Sequence, residues 1–205
     1  MGYIASQFGN PRGLVGKWIG WLMAIKNNDR IDWTCSQLGV RPGDRLIEIG
    51  YGPGVAIEKL IQSTPQIQIV GIDHSETMFA QAYRRNLKVI QTGQVTLHVG
   101  TVAPLPLADC SFHKALTINS SFFWPDPVEG FRELLRVLKP EGKIAVTVQP
   151  FFAKTDDQFQ KAGTTLVSQL REAGFQLISL DRKHMRPVDC WCAIGLKKRI
   201  EPSIF

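Results

Sequence analysis

The chain has 205 residues, 44% of them hydrophobic and 20% charged, with a formal net charge of +6. That length points to one domain with a core of its own, and the composition gives no sign of disorder. The positive charge is scattered over Arg84, Arg85 and Lys88, over Arg182, Lys183 and Arg186, and over Lys197 to Arg199. Solvated helix faces and strand ends explain such a spread better than a nucleic-acid groove.

The N-terminal segment has apolar residues at 14, 15, 18, 19, 21, 22 and 25, a broad helical stripe carrying Trp18 and Trp21. Lys17 interrupts it and it is too short to span a bilayer, and the first residues do not read as a signal peptide. The expected arrangement is a helical lid over residues 1–40, entered through Asn10-Pro11-Arg12-Gly13, across the mouth of a ligand site in a core of residues 41–205. A basic-ended lid helix that touches membranes is the alternative use.

From residue 45 the punctuation alternates strand and helix. Residues 45–50 read as a first strand, 54–63 as a helix stopped before Thr64-Pro65, and 67–73 as a second strand. Ser75 is the expected cap of a helix running to about Ile90, with Glu76 in its first turn. Val95 to Val99 is a third strand, Pro104-Leu105-Pro106 a loop, and His113 to Ile118 a fourth strand. Asp126-Pro127 opens a helix that ends at Lys139-Pro140-Glu141-Gly142. Lys143 to Val148 is a fifth strand and Asp156 to Ala173 a helix. Phe175 to Leu180 and Cys190 to Leu196 close the chain as an antiparallel hairpin, since nine residues between them leave no room for a crossover helix. The fold class is therefore α/β: a Rossmann-like, seven-stranded, mostly parallel sheet with an antiparallel last strand and helices on both faces. Ligands of such sheets bind beyond the carboxyl ends of the strands, where Gly50, Asp73, Gly100-Thr101 and Asn119 should converge.

The four cysteines, Cys35, Cys110, Cys190 and Cys192, fit neither a disulfide framework nor a zinc pattern. They read as reduced thiols of a cytoplasmic protein, Cys190 and Cys192 being buried on one face of a strand.

The most informative stretch is Glu48-Ile49-Gly50-Tyr51-Gly52-Pro53-Gly54, where a strand turns into a helix through three alternating glycines. A turn without Cβ atoms lets a ligand lie on the backbone. Asp73 follows Gly50 by 23 residues, the place of a ribose-binding acid in nucleotide-type sites. A dinucleotide site would have its third glycine where Val55 stands, and no Tyr-x-x-x-Lys pair supplies a reductase acid, so a nicotinamide oxidoreductase is disfavoured. Together with Val70 to Met78, Leu105 to Phe112 and Leu134 to Lys143, this stretch resembles the class I S-adenosylmethionine-dependent methyltransferases over about residues 40–196. Within that class, Gly9-Asn10-Pro11-Arg12-Gly13, the Met23 to Asn27 run and Trp124-Pro125-Asp126-Pro127 look like a group of small stand-alone bacterial-type (methyltransferase-11-like) enzymes with unassigned substrates.

The resemblance implies S-adenosylmethionine as cofactor and a role for each matching position. Gly50, Tyr51, Gly52 and Gly54 support the methionine and ribose portion, and Glu48 helps hold the methionine ammonium. Asp73 accepts from both ribose hydroxyls. His74 and Met78 flank adenine, with core packing the competing role of Met78. Members commonly carry Gly-Asp-Ala after the third strand, whereas this chain has Gly100-Thr101-Val102. Thr101 then accepts the adenine amino group without charge, and the Val102 N–H serves a ring nitrogen. Asn119 is the candidate catalytic contact to the acceptor, its competing role being to hold the loop. Trp18, Phe122 and Trp124 are expected to wall the substrate. The spacing of Asn119 to Phe122 resembles the Asn-Pro-Pro-aromatic loop of enzymes that methylate amino groups, with both prolines replaced by serine. Short loops favour a small-molecule or lipophilic acceptor over a macromolecule such as nucleic acid. A non-catalytic binding module on the same fold, N-methylation of a base or protein side chain, and an arsenite-type thiol chemistry are the competing readings.

Overall fold

Two runs, Leu46 to Ile49 (apolar except for Glu48) and Ile69 to Ile72, are buried throughout, as the central strands of a sheet covered on both faces must be. The computed structural model describes residues 28–199. In chain order these form α1 (Asn28–Leu38), β1 (Arg45–Ile49), α2 (Val55–Ser63), β2 (Gln68–Asp73), α3 (Glu76–Arg85), α4 (Leu87–Gln91), β3 (Val95–Val99) and β4 (Phe112–Ile118). A 3-10 turn (Ser121–Phe123) then leads to α5 (Pro127–Val137), β5 (Leu138–Val148), α6 (Asp156–Glu172), β6 (Gln176–Lys183) and β7 (Cys190–Leu196). The proposed lid helix over residues 14–25, with Trp18 and Trp21, lies outside the described residues.

The sheet order is β3-β2-β1-β4-β5-β7-β6. Strands β1 to β5 pair in parallel, and β7 runs antiparallel to both β5 and β6. Period-2 alternation sends successive strand residues to opposite faces. Leu46, Ile69 and Leu116 pack with α1, α2 and α3, whereas Ile47, Val70 and Ala115 pack with α5 and α6. Glu48 shares the face of Leu46, so its carboxyl group is directed into the layer of α1 and α2. The strand order reverses between β1 and β4, and the crevice opens at that switch point.

Side chains cap the helices as their sequences suggest. Ser75 Oγ accepts from the Met78 N–H at 3.3 Å, and Asp126 Oδ1 accepts from the Val128 and Glu129 N–H groups at 2.9 and 3.1 Å. Three elements differ from expectation. Residues 28–38 form a helix on the sheet face, packed against β4, β5 and α2. The helix after Ser75 stops at Arg85, because Asn86 turns its amide back onto the carbonyls of Ala82 (3.0 Å) and Gly54 (3.1 Å). Strand β5 begins at Leu138, its pairing jumping from Phe112↔Leu138 to Lys114↔Lys143 across a bulge holding Pro140-Glu141-Gly142. Glu141 takes a positive φ of 64° there, and its N–H bonds Lys197 O at 2.9 Å.

Asn86 ties α3 to the glycine turn, so Asn86→Ala leaves two buried carbonyls without that donor. The expected loss of stability is roughly 1–3 kcal/mol, measured by urea unfolding.

Candidate active site

A crevice of about 540 Å³ opens at the carboxyl ends of β1, β2 and β4. That volume suits a nucleoside-sized ligand. Strand register brings its walls together: Ile49 pairs with Ile72 on one side and Thr117 on the other, and Asp73 pairs with Val99. Gly50, Asp73, Gly100 and Asn119 therefore come out side by side at one edge.

The floor is the glycine turn. Gly50 has φ 75°, and a Cβ there would stand 2.3 Å from the Ser120 Cβ, so the close approach of the β1 and β4 ends requires glycine. Ser120 secures that approach, its hydroxyl donating to Ile49 O at 3.0 Å and bonding the Thr117 hydroxyl at 2.6 Å. Gly52 also has positive φ, 51°, but a Cβ there would meet nothing within 4 Å. The space over Gly52 is open to a ligand. Its N–H donates to Asp73 Oδ2 at 2.8 Å, while the Ser75 N–H donates to Asp73 Oδ1 at 2.9 Å. Each carboxylate oxygen keeps a lone pair for one more donor, enough for the two hydroxyls of a ribose.

Two acids lie almost wholly out of water in this wall. Burial and the nearby Asp73 charge push the Glu48 carboxyl up to about 8. Burial also raises Asp73, and the Ser75 and Gly52 N–H groups oppose the rise. A proton held between them belongs on Glu48, because Asp73 accepts two N–H bonds and Glu48 Oε2 has no partner among the described residues. An orphaned buried carboxylate oxygen beside open space calls for a cationic donor, and an ammonium group meets that need.

The remaining expected residues divide. His74, Met78, Thr101, Val102, Asn119 and Trp124 all line the crevice. Met78 and Val102 are also buried core residues, so each serves packing and wall at once. The Thr101 hydroxyl donates to Ala103 O at 3.2 Å, which leaves its oxygen free to accept. Tyr51 reaches the crevice, yet its ring is buried against Gly71 and its hydroxyl donates to His98 O at 3.2 Å, so what it offers a ligand is backbone.

Two expectations need correction. Gly54 does not line the crevice: it precedes α2 with φ 76°, and its missing Cβ admits Ala82 and Asn86 of the neighbouring helix. Phe122 does not line it either. The 3-10 turn sends its ring outward, 44% exposed and edge-on to Phe152 at 5.6 Å, and the neighbouring Phe123 takes the wall position. Ser120 also lines the crevice, and so do Ile31 of α1 and Glu129, which were not anticipated. The Arg136 guanidinium, which donates to the carbonyls of Leu105 and Leu107 at 3.0 and 2.8 Å, holds the loop beyond Thr101 and Val102.

Among the described residues the cysteines are free thiols and join no group of three or more possible metal ligands. Cys110 is exposed, Cys35 is half-buried, and burial pushes the Cys190 and Cys192 thiols up to about 11 and 12. Among the described residues no helix is long and apolar enough to cross a membrane.

A glycine turn over a buried acid pair, on a seven-stranded sheet with one reversed strand, is an arrangement of the methyltransferase type. The comparisons with known proteins agree. A methyltransferase-domain family model matches residues 46–142. The uncharacterized methyltransferase YdaC of Bacillus subtilis (strain 168) is 32% identical over 179 residues, covering 87% of this chain and 97% of that protein. The fold superposes on a chain of the complex between the Haloferax volcanii Trm112 methyltransferase activator and a methyltransferase, with TM-score 0.75, 17% identity and coverage of 89% and 94%. It also superposes on a SAM-dependent methyltransferase from Aquifex aeolicus, with TM-score 0.65, 17% identity and coverage of 81% and 88%. The chain belongs to the class I S-adenosylmethionine-dependent methyltransferases.

Proposed function

We propose that the protein transfers the methyl group of S-adenosylmethionine to a small, lipophilic acceptor. The observation that carries this reading is the pairing of the orphaned Glu48 oxygen with Asp73 across the open turn at Gly52. Glu48 takes the amino-acid ammonium, Asp73 the ribose hydroxyls, and His74, Met78, Thr101 and Val102 surround the base. When bound, the cofactor supplies a methyl on a sulfonium for in-line displacement. The chain's own part is to orient the two partners and keep water out.

On the acceptor side, Phe123 and Trp124 line the wall, Trp124 lying edge-on to Phe131 at 5.1 Å over Gly130. Among the described residues that line the crevice, His74 is the one basic side chain, which is little for a nucleic-acid phosphate backbone. A small acceptor with an apolar body fits such a wall.

A thermal-shift series with S-adenosylmethionine, S-adenosylhomocysteine and NAD tests the cofactor. At about a hundredfold excess over Kd, the first two should stabilise by about 2.7 kcal/mol and NAD should not. For a chain of this size that is a rise in Tm of roughly 5–10 °C. No response to the first two, or a response to NAD alone, overturns the reading.

A further inference from the structure

We propose that Asn119 is a fixed hydrogen-bond donor at the acceptor end of the crevice, and that the acceptor molecule meets it with an oxygen lone pair. This inference rests on the methyltransferase reading and names the chemistry of the second substrate.

Asn119 ends β4 in the left-handed region, at φ 56°, and its own N–H continues the ladder to Thr147 O at 2.8 Å. Its side-chain oxygen lies 2.7 Å from the backbone nitrogen of Gln149. A peptide N–H can only donate, so the atom facing it must be the amide oxygen and the two ends of the carboxamide cannot exchange. The NH2 group is thereby turned away from β5. Asn119 lines the crevice, and its NH2 has no partner among the described residues and is not sealed from solvent.

The orientation is held from behind. Gln149 is buried, its carboxamide oxygen accepts from the Arg30 guanidinium of α1, and its NH2 donates to Val188 O at 2.6 Å. Thr34 of α1 adds a second tie through the Thr147 hydroxyl at 2.7 Å. Gln149 is thus anchored to α1 and to the segment before β7, and its N–H cannot swing to release Asn119. Gln149 is a positioning residue in this arrangement.

An amine acceptor would have to share the Asn119 oxygen with the Gln149 N–H, whereas the NH2 group is shared with nothing among the described residues. The carboxylates of the crevice have other duties. Glu48 and Asp73 belong to the cofactor end, Asp126 Oδ1 accepts two N–H bonds of α5, and Glu129 pairs with Arg132 at 3.4 Å. A carboxylate, phenolic or carbonyl oxygen on an apolar body satisfies both the free NH2 and the aromatic wall.

Benzoate and benzylammonium serve as probes on protein saturated with S-adenosylhomocysteine, with affinities measured by calorimetry. Benzoate should bind at least about tenfold more tightly, the worth of one hydrogen bond to a charged group. Asn119→Asp keeps one oxygen on the Gln149 N–H, tolerates positive φ, and puts a second oxygen in place of the NH2. It should reverse the preference. In the parent protein the Asn119 side-chain amide resonances should move with benzoate and stay still with benzylammonium, a readout that does not depend on the variant. Tighter benzylammonium binding, no benzoate binding, or a variant that leaves benzoate affinity unchanged overturns the inference while S-adenosylhomocysteine still binds. Failure of S-adenosylhomocysteine itself to stabilise the protein removes the methyltransferase reading and this inference with it.

Discussion

Asp73→Ala should abolish stabilisation by S-adenosylhomocysteine while the protein remains folded. The two ribose hydroxyls lose a charge-assisted acceptor, and at roughly 1.5–3 kcal/mol for each such bond the affinity should fall a hundredfold or more. The folded state loses less. The Gly52 and Ser75 N–H groups give up their acceptor, but a carboxylate that burial disfavours is removed as well. Gly52→Val tests the same site from the other side. Nothing stands within 4 Å of a Cβ at Gly52, so the cost to the ligand-free protein is that of a branched residue at positive φ, about 1–2 kcal/mol. The isopropyl group would then fill the space the ligand needs. Folded proteins with no thermal shift from S-adenosylhomocysteine are the expected result for both. Retained affinity in either would mean that the nucleoside lies elsewhere.

The same positions separate what neighbouring residues dictate from what the fold dictates. Local signals served well. The Gly50 turn, the acid ending β2, the Ser75 and Asp126 caps and the reversal of β7 each follow from a few neighbouring residues whose backbone preferences agree. Non-local partners were hidden. Gln149 sits 30 residues from Asn119 and 119 from Arg30, and nothing in a single polar residue announces that it will be buried as a strut. Ser120 gave no sign that it would press against Gly50, although a small residue at that place is required once β1 and β4 are neighbours. The helix break at Asn86 depends on the Gly54 carbonyl, 32 residues away. Pro140-Glu141-Gly142 carries every sign of a loop, and it still falls within β5 because Leu138 pairs with Phe112 and Glu141 bonds Lys197. In each case tertiary pairing overrode a local preference.

Affinity for S-adenosylhomocysteine should rise with pH between about 6 and 8. Glu48 ordinarily titrates at 4.5, and burial beside Asp73 moves it up to about 8. Below that value the ligand-free protein holds a proton on Glu48, and an incoming ammonium must displace it, so affinity changes about tenfold per pH unit. Calorimetry in buffers of different ionisation enthalpy should register close to one proton released per ligand at pH 6 and fewer as the pH approaches 8. The ligand-free protein should show the opposite trend. Between 4.5 and about 8 the folded state binds the proton that the unfolded chain has lost, so stability declines as pH rises through that window, again about tenfold in the folding constant per unit. Glu48→Gln should flatten both slopes. It removes a group that must be ionised at a cost above pH 8, so the ligand-free variant should be the more stable protein there and the weaker binder. A parent protein whose affinity is flat between pH 6 and 8 would show that Glu48 is not the group that meets the ammonium.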